Sequence, residues 1–280
     1  MSTDLTTKYL DYTDEIFKAE SKMGLLTNED FKWENAHTVK IYKVSTSEMS
    51  DYNRNNDDDE NWSRYGSVKN LKATTEEMTL KKDRSFTFTI DELDEDETHM
   101  QLNAASALAR QQREVVIPEI DTYTYNVMCE GAGHKPEAVA LTAENIYSEI
   151  LKASEALDNA EVPETDRVLM VKPSVYALMK KCPDITMETN VGNEMRLKGV
   201  IGMLDGARIV KVPAIRLPEE FGFMLAHPSA TVAPAKLRST VTHHNPPGIS
   251  GWLVEGRFCY DAFVLENKTK AIYYQTLTAE

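Results

Sequence analysis

The chain has 280 residues with 45 Asp and Glu against 31 Lys and Arg, a formal charge of −14. That length supports one large domain or two modest ones with a sizeable core and no need of disulfides or metal. The charge excludes the basic footprint on which tight, sequence-reading nucleic-acid binding rests. Two short runs, 51–60 (DYNRNNDDDE) and 91–97 (DELDEDE), hold −4 and −6 of the total. Cys129, Cys182 and Cys259 are odd in number and widely spaced with no CxxC pair. They suggest neither a disulfide framework nor a zinc knuckle, and they point to a reducing compartment. No basic-then-apolar leader opens the chain, and no apolar run approaches the ~20 residues of a membrane span, so no membrane is expected among the partners.

In chain order, Leu5, Tyr9, Tyr12 and Ile16 stand at spacings of 4, 3 and 4. They predict a short helix with an apolar stripe that ends near Gly24. So short a helix must dock, either on its own domain or, as an arm, on a neighbouring subunit. Strands are expected at 37–44 and at 79–90, where Phe86, Phe88 and Ile90 alternate with threonines in a period of two. The stretch between them is too polar to pack alone and too long for an ordinary connection. Trp62 and Tyr65 sit in its middle beside Arg54 and Arg64, a composition that interface anchors favour. It reads either as a disordered segment or as a partner-binding loop.

From 96 to about 127 there is no Gly, and Met100, Ala104, Ala107, Leu108 and Val115 fit one face of a long helix. The acidic run lies at its N-terminus, where each well-placed carboxylate contributes about 0.3–1 kcal/mol against the helix dipole. Pro118 costs ~3 kcal/mol in a helix interior, so a kink or break is expected after Ile117. Gly131-Ala132-Gly133 reads as a helix stop. Beyond it, Ile146, Ile150, Ala153 and Leu157 predict a helix that stops before Pro163, followed by a fully apolar strand at 168–171 and a helix opened by Pro173. Further strands are expected at 207–212, 222–226 and 230–233, with a closing pair at 257–265 and 271–277 joined by a turn at Asn267-Lys268. The sum is an α/β or α+β body with a long protruding hairpin and no internal repeat.

Catalytic patterns do not emerge. The histidines His37, His99, His134, His227, His243 and His244 form no HExxH and no i, i+4 pair on an expected helix. The Gly131-Ala132-Gly133 stretch lacks the later glycine of a dinucleotide loop, and Gly248-Ile249-Ser250-Gly251 has the wrong spacing for a nucleophile elbow. Asp57-Asp58-Asp59-Glu60 lacks the alternating ligands and central Gly of a calcium loop. The expectation is therefore no catalytic, cofactor-binding or metal-binding residues, and a protein that is not an enzyme.

The order of parts carries the remaining signal. The return strand and helix entry RSFTFTIDELDEDET (84–98) come first, followed by REVVIPEIDTYTYNVM (113–128), RVLMVKPSVYALMKK (167–181) and GVIGMLDGARIVKVP (199–213). FGFMLAHPSATVAPAKL (221–237) and GRFCYDAFVLENKTKAIY (256–273) complete the series. With the arm and the polar loop ahead of them, these segments resemble the major capsid proteins of tailed bacteriophages with the Hong Kong 97 fold, over nearly the whole chain. The resemblance implies an α+β fold divided into an N-terminal arm (1–36), an extended loop with its flanking strands (37–90), a peripheral domain with a long spine helix (91–138), an axial domain (139–225) and a return to the peripheral domain (226–280).

It further implies a structural homo-oligomer that builds pentamers and hexamers of an icosahedral shell around double-stranded DNA, without sequence-specific contacts to that DNA. The interface candidates are Leu5, Tyr9, Tyr12 and Ile16 on the arm and Arg54, Trp62, Arg64 and Tyr65 on the loop. A portal and a separate scaffolding protein are expected partners, because the arm begins at Met1 without a scaffolding segment ahead of it. Lys-to-Asn cross-linking, known in some members, finds Lys69 and Lys72 in the loop but no assignable catalytic acid. The expected location is the virion capsid, with assembly in the host cytoplasm. The competing reading with the same fold is an encapsulin-like bacterial compartment that encloses cargo enzymes.

Overall fold

A computed structural model describes residues 21–28, 38–54, 63–97, 104–185 and 200–278. The chain divides into two compact units, Trp33–Leu80 and a body made of Met1–Lys32 with Lys81–Glu280.

The smaller unit is a two-stranded antiparallel hairpin of β1 (Thr38–Val44) and β2 (Ala73–Thr79), in register from Thr38 opposite Thr79 to Val44 opposite Ala73. The strand expected at 79–90 is present mainly as β3 (Lys82–Asp91), which pairs in the body with β10 (Gly251–Tyr260), while the first residue of that stretch, Thr79, ends β2. Between β2 and β3 only Leu80 and Lys81 intervene, and the change of partner happens there.

Helices α1 (Glu92–Glu97), α2 (Ala104–Gln111), α3 (Ile117–Gly131), α4 (Ile146–Asn159) and α5 (Pro173–Lys181) complete the body with strands β4 (Val168–Val171), β5 (Val200–Leu204), β6 (Ala207–Lys211), β7 (Phe221–Ala226), β8 (Thr231–Val232), β9 (Ala235–His244), β11 (Phe263–Val264) and β12 (Ile272–Thr276). Five strands form one sheet in the order β12-β7-β4-β6-β5, in which only β4 and β6 run parallel. Strand period two sorts its side chains onto two faces. Val168, Met170, Val210, Met224, Ala226, Ile272 and Tyr274 pack with Tyr125, Met128 and Cys129 of α3. On the other face Leu169, Val171, Ile209, Phe223, Leu225 and Tyr273 pack with Ile146, Ile150, Ala153 and Leu157 of α4 and with Val175 and Met179 of α5. The uniformly apolar VLMV of β4 is what burial on both faces demands.

A second sheet, β3-β10-β9, is antiparallel throughout. Ala104, Ala107 and Leu108 of α2 pack on its Phe86, Phe88, Ile90, Trp252 and Val254. The closing pair expected at 257–265 and 271–277 is not a pair: β10 centres this sheet, β12 edges the five-stranded one, and a short 3₁₀ helix, Glu266–Ala271, joins their neighbourhoods. Of the kink or break expected after Ile117, the helix shows no break. A π turn, Gln112–Val116, bridges α2 to α3 with helical dihedrals at Gln111 and Ile117, so the helix runs from Ala104 to Gly131 and absorbs the proline as an irregular turn. The acidic run forms α1 itself, starting at Glu92 instead of at the expected 96, and Asp91 Oδ1 accepts the Leu93 N–H at 2.9 Å. One carboxylate of the run has an inward task. Glu95 is buried and accepts the indole N–H of Trp252 at 2.8 Å.

Candidate assembly interface

Among the described side chains of the hairpin unit most are polar or exposed. In β2, ATTEEMT, Met78 alone is buried, and Lys43 pairs with Glu76 at 2.9 Å across the ladder. The ladder closes where the Ser45 N–H donates to the Lys72 carbonyl and the Lys72 N–H donates to Ser45 Oγ, both at 2.9 Å. Beyond this point the two flanks of the loop still meet. Asn53 N–H donates to the Arg64 carbonyl at 3.0 Å, Tyr65 N–H donates to Ser63 Oγ at 3.2 Å, and the rings of Tyr52 and Tyr65 sit edge to face, 5.0 Å apart. Gly66 has φ +87°, and a Cβ there would lie 2.7 Å from the Ser50 Cβ, so the crossing needs a glycine.

These contacts place apolar groups outward. Tyr65 is 80%, Val68 67% and Leu71 62% exposed, with Met49 and Tyr52 beside them in the same loop. Arg54 and Arg64 are exposed as well. Of the expected interface residues, the structure brings Arg54, Arg64 and Tyr65 into one neighbourhood. Trp62 and the arm residues Leu5, Tyr9, Tyr12 and Ile16 lie outside the described residues, as does the acidic stretch 57–60. Sequence reasoning missed Tyr52, Met49, Val68 and Leu71. The signal for them was present, since isolated apolar residues in a polar run have no local core to enter.

The body holds its own end of the chain firmly where the hairpin unit stops. Lys81 N–H donates to Asp261 Oδ2 at 2.8 Å, 180 residues away, while Asp261 Oδ1 accepts from Tyr123 Oη at 2.6 Å and from the Ala262 N–H at 2.8 Å. Burial, reinforced by that hydrogen bond to a carboxylate, pushes the Tyr123 phenol well above its ordinary range. Beside it Arg84 Nε donates to Glu119 Oε1 at 2.7 Å, and Tyr260 Oη donates to the same oxygen at 3.2 Å. Burial and then the charge of Glu119 push Tyr260 up to about 12. Lys82 Nζ lies 4.8 Å from the centre of the Tyr123 ring. A further anchor is deeper: Asp121 Oδ2 accepts from Arg216 at 2.7 Å and Oδ1 from Ser21 at 2.6 Å. Burial pushes the Asp121 carboxyl upward, against the opposing pull of Ser21 and Arg216.

Among the described residues no three His, Cys, Asp or Glu side chains converge as a metal site would require, and no helix is long and apolar enough to cross a membrane. His243 faces Glu255 at 3.4 Å and His244 lies against Trp252, so the adjacent histidines take up separate surroundings. The three cysteines form no disulfide, and burial pushes the Cys129 thiol up to about 12. Such a thiol is a packing group, not a nucleophile.

No protein-family model matches the chain, and no curated protein matches it. Solved structures do. A chain from Mycobacterium phage Che8 is 18% identical with a TM-score of 0.74, and the match covers 98% of both chains. The capsid structure of cyanophage P-SCSP1u is 13% identical with a TM-score of 0.75, covering 99% of this chain and 94% of that one. A virus-like particle from Pyrococcus furiosus is 10% identical with a TM-score of 0.55, covering 91% and 92%. The sheets of the body, the long helix and the hairpin unit thus define an α+β fold of the phage-capsid class. Within that class it is the Hong Kong 97-type fold.

Proposed function

We propose that this chain is the structural capsid protein of a bacteriophage, which assembles into pentamers and hexamers and closes them into an icosahedral shell around double-stranded DNA. The observation that supports this most is the end-to-end match to the P-SCSP1u capsid chain, which takes in the hairpin unit as well as the body. The hairpin adds a physical reason. A lone two-stranded sheet is marginal in water, and this one carries Met49, Tyr52, Tyr65, Val68 and Leu71 at or near its tip. A surface on another copy would bury them.

In this reading 1–36 is the arm, 37–90 the extended loop with its strands, 91–138 the peripheral domain with its spine helix, 139–225 the axial domain, and 226–280 the return. Leu5, Tyr9, Tyr12, Ile16, Arg54, Trp62, Arg64 and Tyr65 are shared with neighbours, so that many modest contacts add by avidity into a stable shell. A scaffolding protein and a portal assist in the host cytoplasm. A net charge of −14 keeps the shell from binding its densely packed contents tightly.

Electron microscopy of the expressed protein, alone and with a candidate scaffolding protein, tests the reading: closed shells are expected in at least the second case. A monodisperse subunit in both would reject it. The Pyrococcus virus-like particle supports a second reading, a compartment for cargo proteins, whose lower TM-score of 0.55 sets it behind the first. The contents of particles purified from the native source, DNA or protein, decide between them.

A further inference from the structure

Where the described chain begins, it is strapped to the body. Ser21 Oγ donates to Asp121, Met23 N–H donates to Ser21 Oγ at 3.2 Å, and Thr124 Oγ1 donates to Met23 Sδ at 3.4 Å. Leu26 is fully buried in the core beside α3, and Asn28 bridges to Val232. The strap runs along the edge of a groove of about 370 Å³ between the π turn and the three-stranded sheet. Val116, Ile117 and Ile120 of the long helix and Phe258 of β10 make its apolar walls; Gln112, Thr240 and Asp121 are its polar groups; Ser21 and Met23 stand at its mouth. That volume lies within the roughly 300–1,000 Å³ typical of sites that accept a ligand or a few large side chains.

The twenty residues ahead of Ser21 carry the stripe Leu5, Tyr9, Tyr12 and Ile16. Ile16 is five positions from Ser21, a reach of at most roughly 17 Å even when extended. The stripe can therefore find the groove without the chain leaving its own subunit. Its chemistry fits: Leu and Ile match the Val116, Ile117 and Phe258 walls, and tyrosines bury a ring while keeping a hydroxyl for rim groups such as Gln112 and Thr240. Tethering supplies the affinity. A short linker gives an effective concentration in the millimolar range, so a contact with a Kd of about 0.1 mM between separate molecules would be about nine-tenths occupied within one chain.

We propose that in the free subunit the apolar face of residues 5–16 docks in cis on the groove beside the π turn, and that this contact must open before the segment can reach a neighbour. The cis contact goes beyond the capsid reading and stands without it; that the contact must open to reach a neighbour rests on that reading.

The test uses the fluorescence of a hydrophobic dye on dissociated subunits. Deleting residues 1–17, or replacing all four stripe residues with Ser in the full chain, is expected to raise dye binding several-fold with an unchanged far-ultraviolet spectrum. A peptide of residues 1–18 added to the deletion variant should reverse the rise, and the tetra-Ser peptide should not. The Val116→Ser/Ile117→Ser double substitution, placed in the deletion variant, should abolish that reversal. An unchanged dye signal on deletion, or a peptide that reverses nothing, overturns the proposal. So does a wild-type signal that climbs on dilution, which would put the stripe on a second copy. Shell formation is scored separately by microscopy, so failure here leaves the capsid reading standing, and the converse also holds.

Discussion

Asp121 and Arg216 lie 95 residues apart in sequence and meet with side chains 2% and 3% exposed. Removing one partner leaves an uncompensated charge in the core, and Asp121→Ala is expected to cost about 3–5 kcal/mol in denaturant unfolding of the subunit. Replacing both, as in Asp121→Leu with Arg216→Met, should recover most of that loss, because an apolar pair of similar volume needs no desolvation. Tyr260 offers a readout in pH. Its folded value, up to about 12, exceeds the ordinary ~10, so its contribution is fully present below pH ~10 and is lost as pH rises from there through about 12. The melting-temperature gap between wild type and Tyr260→Phe should therefore be constant from neutral pH to ~10 and close above it; a gap that widens with pH would contradict the sign.

The elements divide into those written locally and those written by distant partners. β4 was legible because VLMV is apolar at every position and its two faces meet α3 on one side and α4 with α5 on the other. Leu169→Ala, on the α4 face, should accordingly cost ~2–5 kcal/mol. The helix opened by Pro173 and the helix stop at Gly131 were legible for the same local reasons. β2 was not: ATTEEMT buries one residue and shows no alternation. β9 was not either, since its Thr240, Val241, Thr242, His243 and His244 are all exposed and an edge strand of this kind has no apolar rhythm. Nor could spacing reveal that a π turn would carry the helix through Pro118. At the candidate interface the composition singled out Arg54, Arg64 and Tyr65, and the ring contact of Tyr52 with Tyr65 adds a residue whose isolated apolar character had gone unweighed. Because the ladder ends at Ser45 and Lys72, replacing 46–71 by a two-residue turn should leave the body's circular dichroism and unfolding intact while abolishing shells; normal shells would remove the loop from the interface.

At the scale of the molecule, charge resolves into separate tasks. The run at 91–97 forms α1 and supplies Glu95 to Trp252, so its −6 belongs partly to folding, and Glu95→Gln should lower the melting temperature without altering which oligomers form. What organises the body is separation along the chain. β3 gains its sheet partner only when β10 reaches it: Asp83 and Arg257 pair 174 residues apart, and Glu95 and Trp252 pair 157 apart. β12, the last strand, seals the edge of the five-stranded sheet that β4 began. Such long loops close late and slowly. On a ribosome β3 emerges in the first third of synthesis, but β10, the strand it pairs with, follows only at the start of the final tenth. A nascent chain therefore carries β3 without β10 through most of its synthesis, its ladder groups open to water until that partner arrives. Fold topology thereby acts as a timer: the three-stranded sheet closes only when translation is nearly over.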